Sequence, residues 1–184
     1  MGAALVMEKR LEELIAIGMN RGYVLYDEID ALLPEDYSDG REIDDILSEL
    51  DLAGIEILEE PGAVRDFVQP EVHDPTDPVG VYVQEVAAFP QLTPECEMDL
   101  AKRMQGSGEE AETARKDLLG SNLQMVVSIA KRYPSGDVHV LDLMVLGNEA
   151  LLKATYKFNP SRGYRFSTFA EWFVRRAIRR ESRR

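Results

Sequence analysis

Apolar positions recur with a helical period along most of the chain. In "EKRLEELIAIGMNRG", Leu11, Leu14, Ile15 and Ile17 fall near one helix face, with Gly18 and Gly22 as stops. "VLYDEIDALLP" repeats the pattern and ends at Pro34, which cannot continue a helix. After Ser38-Asp39-Gly40, "DGREIDDILSELDLAG" places Ile43, Ile46, Leu47 and Leu50 together, and Gly54 is positioned to cap that helix. "IEILEE" alternates instead, so residues 55–58 are the single strand candidate. Three short helices can share a small core, although roughly 50 residues is marginal for a domain standing alone.

The period then lapses. "PGAVRDFVQPEVHDPTD" holds three prolines and no sustained pattern, which predicts a linker. It resumes at "DPVGVYVQEVAAF", with Pro78 in the first helical turn. "TPECEMDLAKRMQ" follows, with Thr93 as N-cap, Pro94 next and acids in the first turn. "GSG" at 106–108 marks a loop. "EEAETARKDLLGSNLQMVVSIAKRY" is one long helix or two, because Gly120 and Ser121 sit in its middle. "PSGDVHV" breaks it, "LDLMVLGNEALLKATYKF" forms another helix, and "NPSRG" turns the chain into a last helix starting near Ser167. The expected class is all-α: a small three-helix acidic domain over 1–60, a linker over 61–76, and a larger helical bundle over 77–184.

That last helix has an unusual surface. Phe166, Ala170, Val174, Ala177 and Ile178 gather on one side, which should face the core. Phe169, Trp172, Arg176, Arg179 and Arg183 gather on the other, with Phe173 and Arg180 at its border. A globular domain has no packing reason to expose Phe beside Trp. Single-stranded nucleic acid supplies one, since a base stacks on an aromatic ring for roughly 1–3 kcal/mol while arginines neutralise phosphates. A membrane surface, a calmodulin-like groove and a neighbouring helix that covers the rings are the alternatives.

Charge sharpens this picture. Residues 8–60 carry 17 acidic and 4 basic side chains, a net of -13, whereas residues 161–184 carry 2 acidic side chains and 8 arginines. An acidic head and a basic tail suggest nucleic-acid contact at one end and something that repels or mimics nucleic acid at the other. A solvated acidic face on an ordinary small domain is the plainer account of the head. Cys96 is the one cysteine, which excludes an internal disulfide framework and makes the reducing cytoplasm the expected compartment. His73, His139 and Cys96 are too scattered for a metal motif, and no stretch reaches the length of a membrane span. No nucleophile–base pairing or phosphate loop is present, so no enzyme, metal or cofactor is expected.

The residues carry a family resemblance. "DLMVLGNEALLKATYKFNPSRGYRFSTFAEWFVRRAIRR" resembles region 2 of bacterial primary-type, sigma-70 family RNA polymerase sigma factors, and "ARKDLLGSNLQMVVSIAKRY" resembles the start of that region. "DPVGVYVQEVAAFPQLTPECEMDLAKRM" is similar to region 1.2, and the head from Arg10 to Glu60 to the acidic region 1.1. The resemblance implies a transcription initiation factor that docks on the coiled coil of the largest core polymerase subunit. Region 2 would then capture the non-template single strand of the promoter −10 element, extruding two bases at a cost of a few kcal/mol each. Phe169 aligns with the aromatic under the flipped adenine, Tyr164 lines that pocket, and Trp172 and Phe173 align with the wedge at the fork. Asn122, Ser167, Thr168 and Glu97 align with the pocket for a downstream thymine. Arg165, Arg176, Arg179 and Arg180 complete the expected DNA-binding set. Region 1.1 implies an acidic segment that occupies the polymerase DNA channel and restrains free sigma from DNA.

Three departures qualify what is carried over. The matched blocks end at Arg180, before the family's regions 3 and 4, so no −35 reading is expected of these residues. On the docking helix the family usually has Gln-Glu where this chain has Val145-Leu146, while Asp142 keeps the family identity. On that helix Leu143, Gly147, Ala150, Ala154 and Phe158 should face inward, and Val145, Leu152 and Tyr156 outward with Asp142 and Glu149. Asp142, Val145, Leu146 and Glu149 are the expected polymerase-binding residues. Arg176 replaces a glutamine that reads the upstream pair of the −10 element, and Arg179 replaces a threonine. Arginine prefers guanine O6 and N7, so an altered preference at that pair is expected. The alternative function is a sigma-like interaction module that binds polymerase, or a regulator such as an anti-sigma factor, without opening promoters.

Overall fold

The computed structural model describes residues 2–33, 41–61, 77–133 and 138–182. Their order is α1 (Gly2–Arg21), β1 (Tyr23–Leu25), α2 (Tyr26–Asp30), α3 (Arg41–Leu52), β2 (Glu56–Leu58), α4 (Pro78–Ala87), α5 (Pro94–Arg103), α6 (Glu109–Arg132), α7 (Val140–Lys157), a 3-10 turn (Pro160–Arg162) and α8 (Phe166–Ser182). The class is all-α, as expected. Nearly all of the expected linker, and Pro34 and Ser38-Asp39-Gly40, lie outside the described residues. Two compact units result: one holds α1–α3 and both strands, with Arg162–Tyr164 grouped in it, and the other holds α4–α8.

The first unit departs from the expected three helices in more than one place. Val24 was expected to open a helix, but Tyr23–Leu25 is extended and pairs in parallel with Glu56–Leu58, Val24 opposite Ile57. The helical period over "VLY" is too short to decide between helix and strand, and burial of Val24 beside Ile57 decides it. Gly18 is no stop either. It lies inside α1, where a Cβ would come within 2.8 Å of Ile55 and 2.9 Å of Val24. The buried stripe therefore runs Leu11, Leu14, Gly18, and Ile17 is left 48% exposed. Gly22, at φ +87°, ends the helix as expected. Ile43, Ile46, Leu47 and Leu50 of α3 are all buried with Ile29.

The second unit is built on α6, α7 and α8. Its helix starts follow the sequence signals: the Asp77 carboxylate accepts from the Val79 N–H at 3.2 Å, and Thr93 Oγ1 accepts from the Cys96 N–H at 3.3 Å. α6 runs unbroken through Gly120, where a Cβ would sit 2.5 Å from the Phe89 ring. α7 packs on both α6 and α8. Its inward face is the expected one, with Leu143, Gly147, Ala150, Ala154 and Phe158 buried. Gly147 is the point of closest approach: a Cβ there would lie 2.5 Å from Val126 of α6, 3.3 Å from Ile178 and 3.4 Å from Val174 of α8. Among the described residues no helix is long and apolar enough to cross a membrane.

The two glycines should respond differently to alanine. Gly147→Ala forces a methyl against the stiff Val126 and is expected to lower stability by about 1–3 kcal/mol. Gly120→Ala meets Phe89, which is 42% exposed and can swing aside. The helix-propensity gain of about 1 kcal/mol should leave that variant near neutral. Urea unfolding midpoints of the two variants measure the difference, and equal midpoints would contradict it.

Candidate nucleic-acid interface and docking helix

The expected interface centres on α8, and its aromatic residues are not where a helical wheel puts them. Phe166, Ala170, Val174 and Ile178 are buried as expected, but Ala177, expected with them, is only half-buried. Phe169 and Trp172 were expected to face outward, and they are buried too, at 0% and 2% exposure. α8 packs against α7, α6 and α5, so it has no broad face in water. The ring of Phe158, at the end of α7, lies 5.6 Å from that of Phe169 and 5.3 Å, edge-on, from that of Phe166. Phe173 stands 4.7 Å from Phe169 and 5.0 Å from Trp172. This aromatic cluster is the neighbouring-helix alternative: rings worth about 150–250 Å² of buried area each pack on one another.

The arginines of α8 separate by role. Arg175 is buried and paired with Glu171, its Nη2 at 2.8 Å from Oε1. Arg176 is half-buried, its guanidinium 5.2 Å from the centre of the Trp172 ring. Arg179 is half-buried and Arg180 exposed. The surface chemistry of the helix is therefore cationic along its second half, with Phe173 half-buried beside it.

At the other end of α8, the structure brings part of the expected thymine pocket together. Glu97 of α5 is 3% exposed, and its Oε1 accepts from the Ser167 N–H at 2.6 Å. Its Oε2 accepts from Arg165, with Nε at 3.2 Å. Ser167 Oγ is buried with no hydrogen-bond partner, and Thr168 is half-buried. Asn122 is buried as well, but its Nδ2 donates to the Leu118 carbonyl of its own helix at 2.7 Å. Tyr164 is engaged inside the first unit, where its hydroxyl donates to Asp44. Burial, then that hydrogen bond, pushes the phenol far above the ordinary tyrosine range. Burial also raises the Asp44 carboxyl, against the pull of Tyr164.

α7 carries the second candidate surface, and here the wheel holds. Val145 is 56%, Leu152 44% and Tyr156 64% exposed, and Asp142 and Glu149 are exposed beside them. Asp142, Val145, Glu149, Leu152 and Tyr156 step by three and four residues, the seam of a helix that meets another helix. Leu146 is half-buried and flanks this seam. Arg115 of α6, whose side chain also reaches the Met104 carbonyl at 3.1 Å, places its guanidinium 4.3 Å from the Tyr156 ring centre. Sequence reasoning missed Arg115, and also the link from Asn148 Nδ2 to the Tyr82 hydroxyl at 2.7 Å between α7 and α4. Neither has a local signal, because each partner is distant in the chain. Among the described residues no cluster could hold a metal ion.

The chain belongs to the sigma-70 family. Family models match residues 7–77 as "Sigma-70 factor, region 1.1", 77–110 as "Sigma-70 factor, region 1.2" and 118–184 as "Sigma-70 region 2". The chain is 36% identical to RNA polymerase sigma factor SigA of Clostridium acetobutylicum, over 94% of this chain and 46% of that protein. It is 35% identical to the same-named protein of Listeria monocytogenes, over 97% of this chain and 51% of the relative. The chain thus spans about half the length of the curated relatives it matches.

The sealed aromatic cluster makes a stability statement. Phe169→Ala should cost about 3–5 kcal/mol, the range for emptying a buried aromatic site. Arg180→Ala, at the surface, should change stability by no more than about 0.5 kcal/mol. Chemical denaturation of both variants checks this, and a mild Phe169→Ala would show that the ring is not part of the core.

Proposed function

We propose that the chain acts in transcription initiation: it binds core RNA polymerase through α7 and captures the non-template strand of a promoter −10 element through α8. The observation that carries the proposal is the exposed seam of Asp142, Val145, Glu149, Leu152 and Tyr156. An apolar stripe of this spacing, left in water on an otherwise well-packed helix, fits a helical partner. The coiled coil of the largest polymerase subunit is such a partner. Val145 and Leu146 in place of a polar pair make this contact more apolar than is usual in the family. DNA chemistry falls to Arg176, Arg179 and Arg180 for phosphates and the upstream pair. It falls to Phe169, Trp172, Phe173 and Tyr164, with Asn122, Ser167 and Thr168, for the captured bases, while Glu97 and Arg165 flank the turn that carries Ser167 and Thr168. Because Phe169 and Trp172 are buried, capture on this reading requires the cluster to open, and no ready-made platform awaits the base. The acidic head, with its net of -13 over residues 8–60, competes with DNA for cationic surface by simple Coulomb attraction.

A second reading, a polymerase- or regulator-binding module that opens no promoter, is favoured by that same burial together with the apolar seam. A fluorescent single-stranded −10 oligonucleotide, titrated into the chain bound to core polymerase, separates the two. Initiation predicts selective binding over a scrambled strand; stable polymerase binding with no selectivity supports the module instead. Leu152→Glu should weaken polymerase binding at least about ten-fold, the effect of burying an unpaired charge in an apolar contact. Arg180→Gln should lower the salt slope of duplex binding by about one phosphate. Arg176→Gln should shift preference at the upstream pair away from one bearing guanine. If Leu152→Glu binds polymerase normally, the docking assignment fails.

A further inference from the structure

The first turn of α8 is held from another helix. Phe166 opens α8, so the Ser167 N–H is one of the donors that the helix cannot satisfy internally. Such donors are ordinarily capped by a short polar side chain just before the helix. Here Arg165 stands there, and its guanidinium has no acceptor to offer. The acceptor comes instead from Glu97, 68 residues from Arg165 along the chain. A carboxylate is seldom as buried as Glu97, at 3% exposure, unless its oxygens are fully used. Both are used: Oε1 takes the Ser167 amide at 2.6 Å and Oε2 takes Arg165. One side chain thus fixes the amide of α8 and the residue that leads into it, and the turn it fixes carries Ser167, Thr168 and Phe169.

We infer that Glu97 is a positioning residue for strand capture, acting through the Ser167 amide and Arg165 and touching no base itself. This deepens the proposed function and rests on it. It differs from a role in lining a base pocket, because both oxygens already hold α8 and Arg165, and at 3% exposure little of the carboxylate is open to a base. Removing it should therefore loosen the whole capturing turn, whatever base occupies the downstream position.

The test uses the full chain on core polymerase with two −10 oligonucleotides, one normal and one abasic at the downstream position. Amide hydrogen exchange at Ser167 and a thermal midpoint are measured alongside. Glu97→Ala should speed Ser167 exchange and weaken both oligonucleotides by about ten-fold, the scale of a lost helix cap. Glu97→Gln keeps an oxygen for the amide and loses the ion pair, so it should fold and show a smaller loss, again equal on both strands. A loss that disappears on the abasic strand means direct base contact and overturns the positioning role. A lowered thermal midpoint with unchanged oligonucleotide affinity means a merely structural role and also overturns it. If the unaltered chain captures no oligonucleotide, the proposed function itself fails; if it does capture and Ser167 exchange is unchanged in both variants, only the role of Glu97 fails.

Discussion

The second unit depends on how closely α7 approaches α6 and α8. Gly147 admits Val126, Val174 and Ile178 to distances that a methyl group would disturb, and Ala150 and Ala154 continue the small-residue face. Close approach of backbones leaves little room for rotation, because interiors are packed near the density of organic crystals. The opposite face of α7 is fixed by the same contact. Val145, Leu152 and Tyr156 point to water because Leu143, Gly147 and Ala150 cannot point anywhere but inward. The exposed seam of α7 is therefore a by-product of core geometry, aligned before anything meets it.

What was legible in the sequence follows from this. A helix buried on one side and wet on the other declares its faces in its period, and α7 and α3 did so residue by residue. The cap at Thr93 was equally readable, since a cap is a local contact. α8 was readable only in part. Its core stripe held except at the half-buried Ala177, but a period of 3.6 cannot tell a solvent face from one covered by another helix, and Phe158 is invisible to it. The same limit applies to Tyr23–Leu25, whose partner strand is over thirty residues away. Glu97 was named through family resemblance alone, and its contacts with Ser167 and Arg165 are long-range and had no sequence signal. Local chemistry was legible; second layers were not.

The distribution of charge on α8 also has a structural reason. Arg175 sits on the buried side and would be costly there alone; Glu171, one turn earlier, neutralises it. Arg176 lies over the Trp172 ring, where a guanidinium keeps its charge while losing little hydration. A count of arginines overstates the cationic surface, and burial corrects it.

The sealed cluster changes the energetics of the proposed capture. Withdrawing a buried aromatic side chain from its neighbours forfeits roughly 1.5–3 kcal/mol of apolar burial. A base stacked in its place returns roughly 1–3 kcal/mol. On these magnitudes the exchange of Phe158 and Phe173 contacts for a nucleobase is close to balanced, and extrusion of the base from duplex adds a further cost of a few kcal/mol. Stacking alone then cannot drive strand opening by this chain. The deficit has to be met by charge, through Arg176, Arg179 and Arg180 on phosphates, or by polymerase docking on α7. Since α7 and α8 share the Gly147 contact, a partner that bears on the seam also bears on the helix that must yield. On the proposed reading, coupling of docking to capture needs no separate switch, only the tight packing that builds the unit.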